Sequence, residues 1–104
     1  MTTKNSIRAK KAIRNNTGPI SFGDMLYSFR LSNEYSQVAM AEILKISKQD
    51  LCNIEKGRKF VSVERAKYFA EALGMPPKTF AKYALQDQLN SAGIPGEVEI
   101  NEVA

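Results

Sequence analysis

The chain has 104 residues, 43% of them hydrophobic, with a formal net charge of +4, one cysteine and no histidine. That length suits one small domain with tails. The missing histidines exclude His-based triads, His general bases and His-containing metal sites, and the lone Cys52 excludes an internal disulfide and suits a reducing cytoplasm.

No apolar run approaches the ~20 residues of a membrane span. No apolar segment follows the first basic residues, as a secretory signal requires. A cytoplasmic non-enzyme is therefore expected, with no metal, no cofactor and no membrane partner. The charge is unevenly placed. Residues 45 to 67 carry Lys45, Lys48, Lys56, Arg58, Lys59, Arg65 and Lys67 against Asp50, Glu55 and Glu64. Such clusters attract polyanions, although a solvated face with scattered charge explains them equally well.

Residues 1 to 19 carry Lys4, Arg8, Lys10, Lys11 and Arg14 with no acid, and end in the breaker cluster Asn15-Asn16-Thr17-Gly18-Pro19. Ile7 and Ile13 are too few to build a core. A flexible, disordered basic arm is expected over 1–19.

The folded domain is expected over 20–93 as an all-α bundle of five helices. Phe22, Met25, Leu26, Phe29 and Leu31 share a helical face and predict a first helix over 22–33. A second is expected over 36–44, with Ser36 as N-cap and Val38, Ala41 and Met40 turned inward. A third is expected over 47–56, stopped by Gly57. Ser47 and Asp50 at its start have the spacing of a capping box. Ser62 precedes a fourth helix over 63–73, ended by Gly74. Pro76-Pro77 opens a fifth, over 77–92, ended by Gly93.

The fifth helix carries Phe80, Ala81, Tyr83, Ala84, Leu85 and Leu89, more apolar surface than one face needs. Either it is the central core helix, or one face is core and the other joins a second copy of the chain. Residues 94–104 form an acidic tail with Glu97, Glu99 and Glu102; pairing across a dimer is one reading, a frayed tail the other.

Helix 47–56 has two sides. Leu51 and Ile54 face the core, while Gln49, Cys52, Asn53 and Lys56 fall at i, i+3, i+4 and i+7 on the opposite side. Gln and Asn match the paired donor and acceptor of an adenine edge, and Lys donates to guanine. The start of a recognition helix reaches deepest into the major groove, so Lys48, Gln49 and Asn53 are the candidate base readers. Gln37, in the first turn of helix two, sits where free N–H groups and the helix dipole favour an anion. With Lys56, Arg58 and Lys59 it makes up the candidate phosphate-binding set.

From Phe22 to Leu73 the chain resembles the xenobiotic-response-element family of helix-turn-helix regulators, whose fold is that of lambda-type repressors. The resemblance is carried by Phe22, Gly23, Leu26 and Arg30, then by Ser36, Gln37, Ala41, Leu44, Ile46, Ser47, Ile54, Glu55 and Gly57, at the family's spacing without gaps. It implies a five-helix lambda-repressor-like bundle, with Gln37 on phosphate, Lys48, Gln49 and Asn53 on bases, and a structural ion pair between Arg30 and Glu55.

The chain departs from the family pattern at four positions. Lys45 replaces the turn glycine, so either a positive φ there would be strained or the turn is slightly altered. Met40 replaces a leucine. Asp50 puts an acid beside phosphates, where capping its own helix is preferred over contact with cytosine. Cys52 stands where serine is common and reads as a small contact residue rather than a redox switch.

The implied function is a sequence-specific DNA-binding transcriptional regulator. It would be a dimeric autorepressor on a double-stranded DNA operator, paired through helix 77–92. The alternative is an antitoxin resembling the HigA type, which represses its own operon and neutralises a toxin nuclease through a terminal segment.

Overall fold

In a computed structural model, residues 20–101 are described, and they form five helices with no strand among them. The helices are α1 (Phe22–Ser32), α2 (Gln37–Leu44), α3 (Lys48–Glu55), α4 (Val63–Leu73) and α5 (Pro77–Ser91). The expected arm over 1–19 and the last three residues of the chain lie outside the described residues. No helix among those described is long and apolar enough to cross a membrane.

Each of the first four helices starts where a serine hydroxyl accepts an N–H of the first turn. Ser21 accepts from Asp24, Ser36 from Ala39, Ser47 from Asp50 and Ser62 from Arg65, at 2.9–3.1 Å. Helices leave these first N–H groups without intrahelical partners, and such a cap contributes about 1 kcal/mol. The fifth instead begins with Pro77 at its first position, where the missing N–H costs nothing.

All five helices end alike. Two backbone N–H groups beyond each last turn fold back onto carbonyls, as when Arg58 donates to Asn53 and Gly57 to Ile54. This needs one left-handed residue. Glycine supplies it at Gly57, Gly74 and Gly93, but Glu34 and Lys45 supply it after α1 and α2, at φ 58° and 60°. The Lys45 strain anticipated from the sequence is therefore present, in the turn that joins α2 to α3.

The core is one cluster. Phe22, Leu26, Met40, Leu44, Leu51, Ile54, Phe69 and Phe80 are its largest fully buried side chains. Phe22 meets Phe80 edge-on at 5.8 Å and Phe69 at a tilt at 6.4 Å, so α1, α4 and α5 converge on one ring. Burying each such side chain contributes about 1.5–3 kcal/mol. The most extensive helix pair is α4 against α5, while α1 and α2 both pack on α3.

Gly23 makes the α1–α3 approach possible. It is buried in the first turn of α1, and a Cβ there would collide with the carbonyl oxygen of Ile54 and press on that of Glu55. Beside it, the buried Asp87 of α5 accepts the Phe22 N–H through both carboxylate oxygens, at 3.2 and 3.3 Å. The bundle thus caps its first helix from its last. Burial pushes the Asp87 carboxyl up, the Phe22 N–H partly offsets this, and the charge of Asp24 adds to it.

Two expectations are corrected. Val38 does not turn inward: it is 52% exposed, and Met40 and Ala41 occupy the core side of α2. An eight-residue helix packed along one edge has room for only a narrow buried stripe. Nor is the tail frayed over its described part. The Gln86 amide, 2% exposed, donates to the Gly96 carbonyl at 2.9 Å and accepts from the Val98 N–H at 2.7 Å. Its remaining N–H goes to Asn90 at 3.1 Å. The amide pairs with the tail as a neighbouring strand would, and holds it against the surface of α5 that the sequence left unassigned.

Two substitutions test this architecture. Gly23→Ala should lower stability by about 2–3 kcal/mol through the forced separation of α1 and α3. Lys45→Gly should raise it by about 0.5–1 kcal/mol, because relief of left-handed strain outweighs the added freedom of the unfolded chain. Urea denaturation of each variant against the parent reads both.

Candidate nucleic-acid interface

Leu51 and Ile54 bury one side of α3, at 0% and 1% exposure, and Glu55 is buried with them at 4%. A carboxylate at that depth must be paired. Arg30 of α1 supplies a two-point grip: Nε donates to one Glu55 oxygen at 2.7 Å and Nη2 to the other at 3.1 Å. A third bond comes from Gln37 of α2, whose Nε2 donates to Glu55 at 3.0 Å. Arg30 also donates through Nη1 to the Tyr35 carbonyl at 3.1 Å and lies 5.4 Å over the Tyr27 ring. Three helices thus meet at one carboxylate, which fixes how α3 is presented.

Its other side faces out. Lys48 and Gln49 are exposed, and Cys52 and Asn53 are half-buried. Gln49 and Asn53 are brought together, with Gln49 Nε2 donating to Asn53 Oδ1 at 3.2 Å across one helical turn. Lys56 and Arg58 are exposed just past the end of α3. The side-chain amide of Gln37 is held by Glu55 at the start of α2, so the expected anion position and the polar stripe of α3 belong to one rigid unit.

Ser47 caps α3 as its position predicts, but Asp50 does not complete the box. Its backbone N–H is what Ser47 binds; its carboxylate turns away to Lys59 at 2.5 Å and to Arg65 at 2.7 Å. Two cations outcompete one backbone N–H for a carboxylate, since each adds direct opposite-charge attraction to its hydrogen bond. Hydrogen bonds from Lys59 and then Arg65 hold the Asp50 carboxyl below its usual range, so Asp50 is a carboxylate at neutral pH. That pairing is lost only as the pH falls through the lowered value.

Lys59, expected to lie free for phosphate, is therefore already engaged. Arg65 was not among the candidates at all. It stands 15 residues from Asp50 on another helix, a separation at which sequence spacing carries no pairing signal.

Among the described residues, no group of three or more His, Cys, Asp or Glu is placed to hold a metal ion. No family model, no curated protein and no solved structure matches this chain.

The Arg30–Glu55 grip carries a direct test. Glu55→Gln and Arg30→Met should each cost about 3–5 kcal/mol, because each strands a buried partner. The double variant should cost clearly less than the two summed. A thermal and urea double-mutant cycle measures the coupling.

Proposed function

We propose that this protein is a sequence-specific, double-stranded-DNA-binding transcriptional regulator of the helix-turn-helix kind, with α2 and α3 as the two helices and α3 in the major groove. On this reading it resembles the xenobiotic-response-element family and acts as a dimeric autorepressor. One observation carries the reading. The Lys48, Gln49 and Asn53 side stands outward on a helix whose inner side is fastened by Leu51, Ile54 and Glu55, with Lys56 and Arg58 exposed at its end. Base reading needs this combination: amide and ammonium groups that match base edges, on a support rigid enough to keep register.

Gln49 and Asn53 spend one bond on each other in the free protein. Each keeps further donor and acceptor capacity for a base. Phosphate contacts from Gln37, Lys56 and Arg58 would flank them and set register without reading sequence.

Dimerisation through α5 is part of the proposal. Leu85 and Leu89 remain half-buried one turn apart on that helix. The second reading, an antitoxin that also neutralises a toxin nuclease, is favoured by the tail. Glu97 and Glu99 are exposed on a segment that Gln86 holds in place, and they suit a basic partner surface.

The deciding experiment is a fluorescence-anisotropy titration against the gene's own upstream DNA and a scrambled duplex, at about 150 mM salt, because the phosphate contribution is steeply salt-dependent. Preference for the upstream duplex by ~10³ or more supports the reading. Gln49→Ala and Asn53→Ala should each reduce that preference by about 1–3 kcal/mol while leaving scrambled-DNA affinity near the parent value. Equal losses on both duplexes would remove the base-reading role.

A further inference from the structure

The cluster around Asp50 lies on the surface proposed to meet DNA, and it puts a carboxylate there between two cations. Asp50 sits in the first turn of α3, next to Gln49, and its side chain is 17% exposed. Its two carboxylate oxygens are divided between two cations, Lys59 from the segment after α3 and Arg65 from α4. Arg65 is additionally seated 5.3 Å over the Phe69 ring, which orients its guanidinium toward the carboxylate. Lys59 remains 46% and Arg65 32% exposed, so both cations border solvent while occupied from within.

The Asp50–Arg65 bond ties α3 to α4, while Leu51 and Ile54 of α3 and Ala66 and Phe69 of α4 also enter the common core. The same carboxylate sets the charge of the surface beside it. Electrostatically, the single carboxylate offsets one of the two positive charges at the edge of α3 and shares that offset between Lys59 and Arg65.

We propose that Asp50 is an internal counter-ion that suppresses sequence-independent DNA binding by occupying Lys59 and Arg65. This deepens, and rests on, the DNA-reading function proposed above. Attachment to any duplex depends on how many phosphates the protein neutralises, whereas base contacts by Gln49 and Asn53 do not. A carboxylate that keeps two neighbouring cations engaged lowers the first without touching the second.

The test uses the full chain and a scrambled duplex, titrated by anisotropy over a salt series with the parent, Asp50→Asn, Lys59→Gln and the double variant. Thermal melts establish that each variant is folded. Asp50→Asn should bind scrambled DNA about tenfold tighter near 150 mM salt. The slope of log affinity against log salt should steepen by about 0.9 for each additional phosphate neutralised.

In the parent background Lys59→Gln should weaken scrambled-DNA binding only modestly, because Asp50 already offsets part of that charge. In the Asp50→Asn background it should remove a large part of the added affinity, a non-additivity that a purely structural role for Asp50 would not produce. Folded Asp50→Asn with unchanged or weaker scrambled-DNA binding overturns the counter-ion role and leaves DNA reading standing. Absence of binding to both upstream and scrambled duplexes, by parent and variant alike, overturns the DNA reading and this inference with it.

Discussion

A buried carboxylate organises this molecule. Glu55 lies at the end of α3, and leaving it unpaired would cost several kcal/mol. Its bonds to Arg30 and Gln37 couple α1, α2 and α3 at one point. Apolar contacts between helices tolerate some sliding and rotation, whereas a two-point guanidinium–carboxylate grip has one geometry. The grip therefore sets the pose of α3 more narrowly than Leu51 and Ile54 would alone. Gly23 allows that pose by letting the start of α1 lie directly on the Ile54 and Glu55 carbonyls.

The same helix divides its polar residues among three arrangements. Glu55 points inward and is spent on structure. Gln49 and Asn53 point outward and bond each other. Asp50 belongs to a third arrangement, reaching sideways to Lys59 and Arg65. Exposed ion pairs contribute little to stability as a rule. The consequence of this one lies in how much positive charge the surface offers.

Polar side chains of α5 hold the start of α1 and the tail. Asp87 caps α1, and Gln86 captures the tail. Adjacent on one helix, these two residues serve opposite ends of the chain. They also account for part of the apolar excess of α5, since Val98 and Ile100 come to lie half-buried in the tail that Gln86 holds. A second copy of the chain would meet α5 with that tail already in place.

Much of the helical framework is legible in the residues, because it depends on local chemistry. Serines accept first-turn N–H groups, glycines adopt left-handed ends, and apolar residues recur at helical spacing; these fall within a few positions of one another. The outward stripe of α3 is legible for the same reason, since a 3.6-residue period assigns faces. The pairing of Arg30 with Glu55 entered only through the family resemblance, and spacing alone would not have supplied it. The partners of Asp50, the cap from Asp87 and the capture of the tail by Gln86 join residues between 9 and 65 positions apart. Whether Val38 is buried turned on which edge of α2 met its neighbours. Such contacts are set by how helices cross, and the crossing is decided by the packing of the whole core rather than by any single segment.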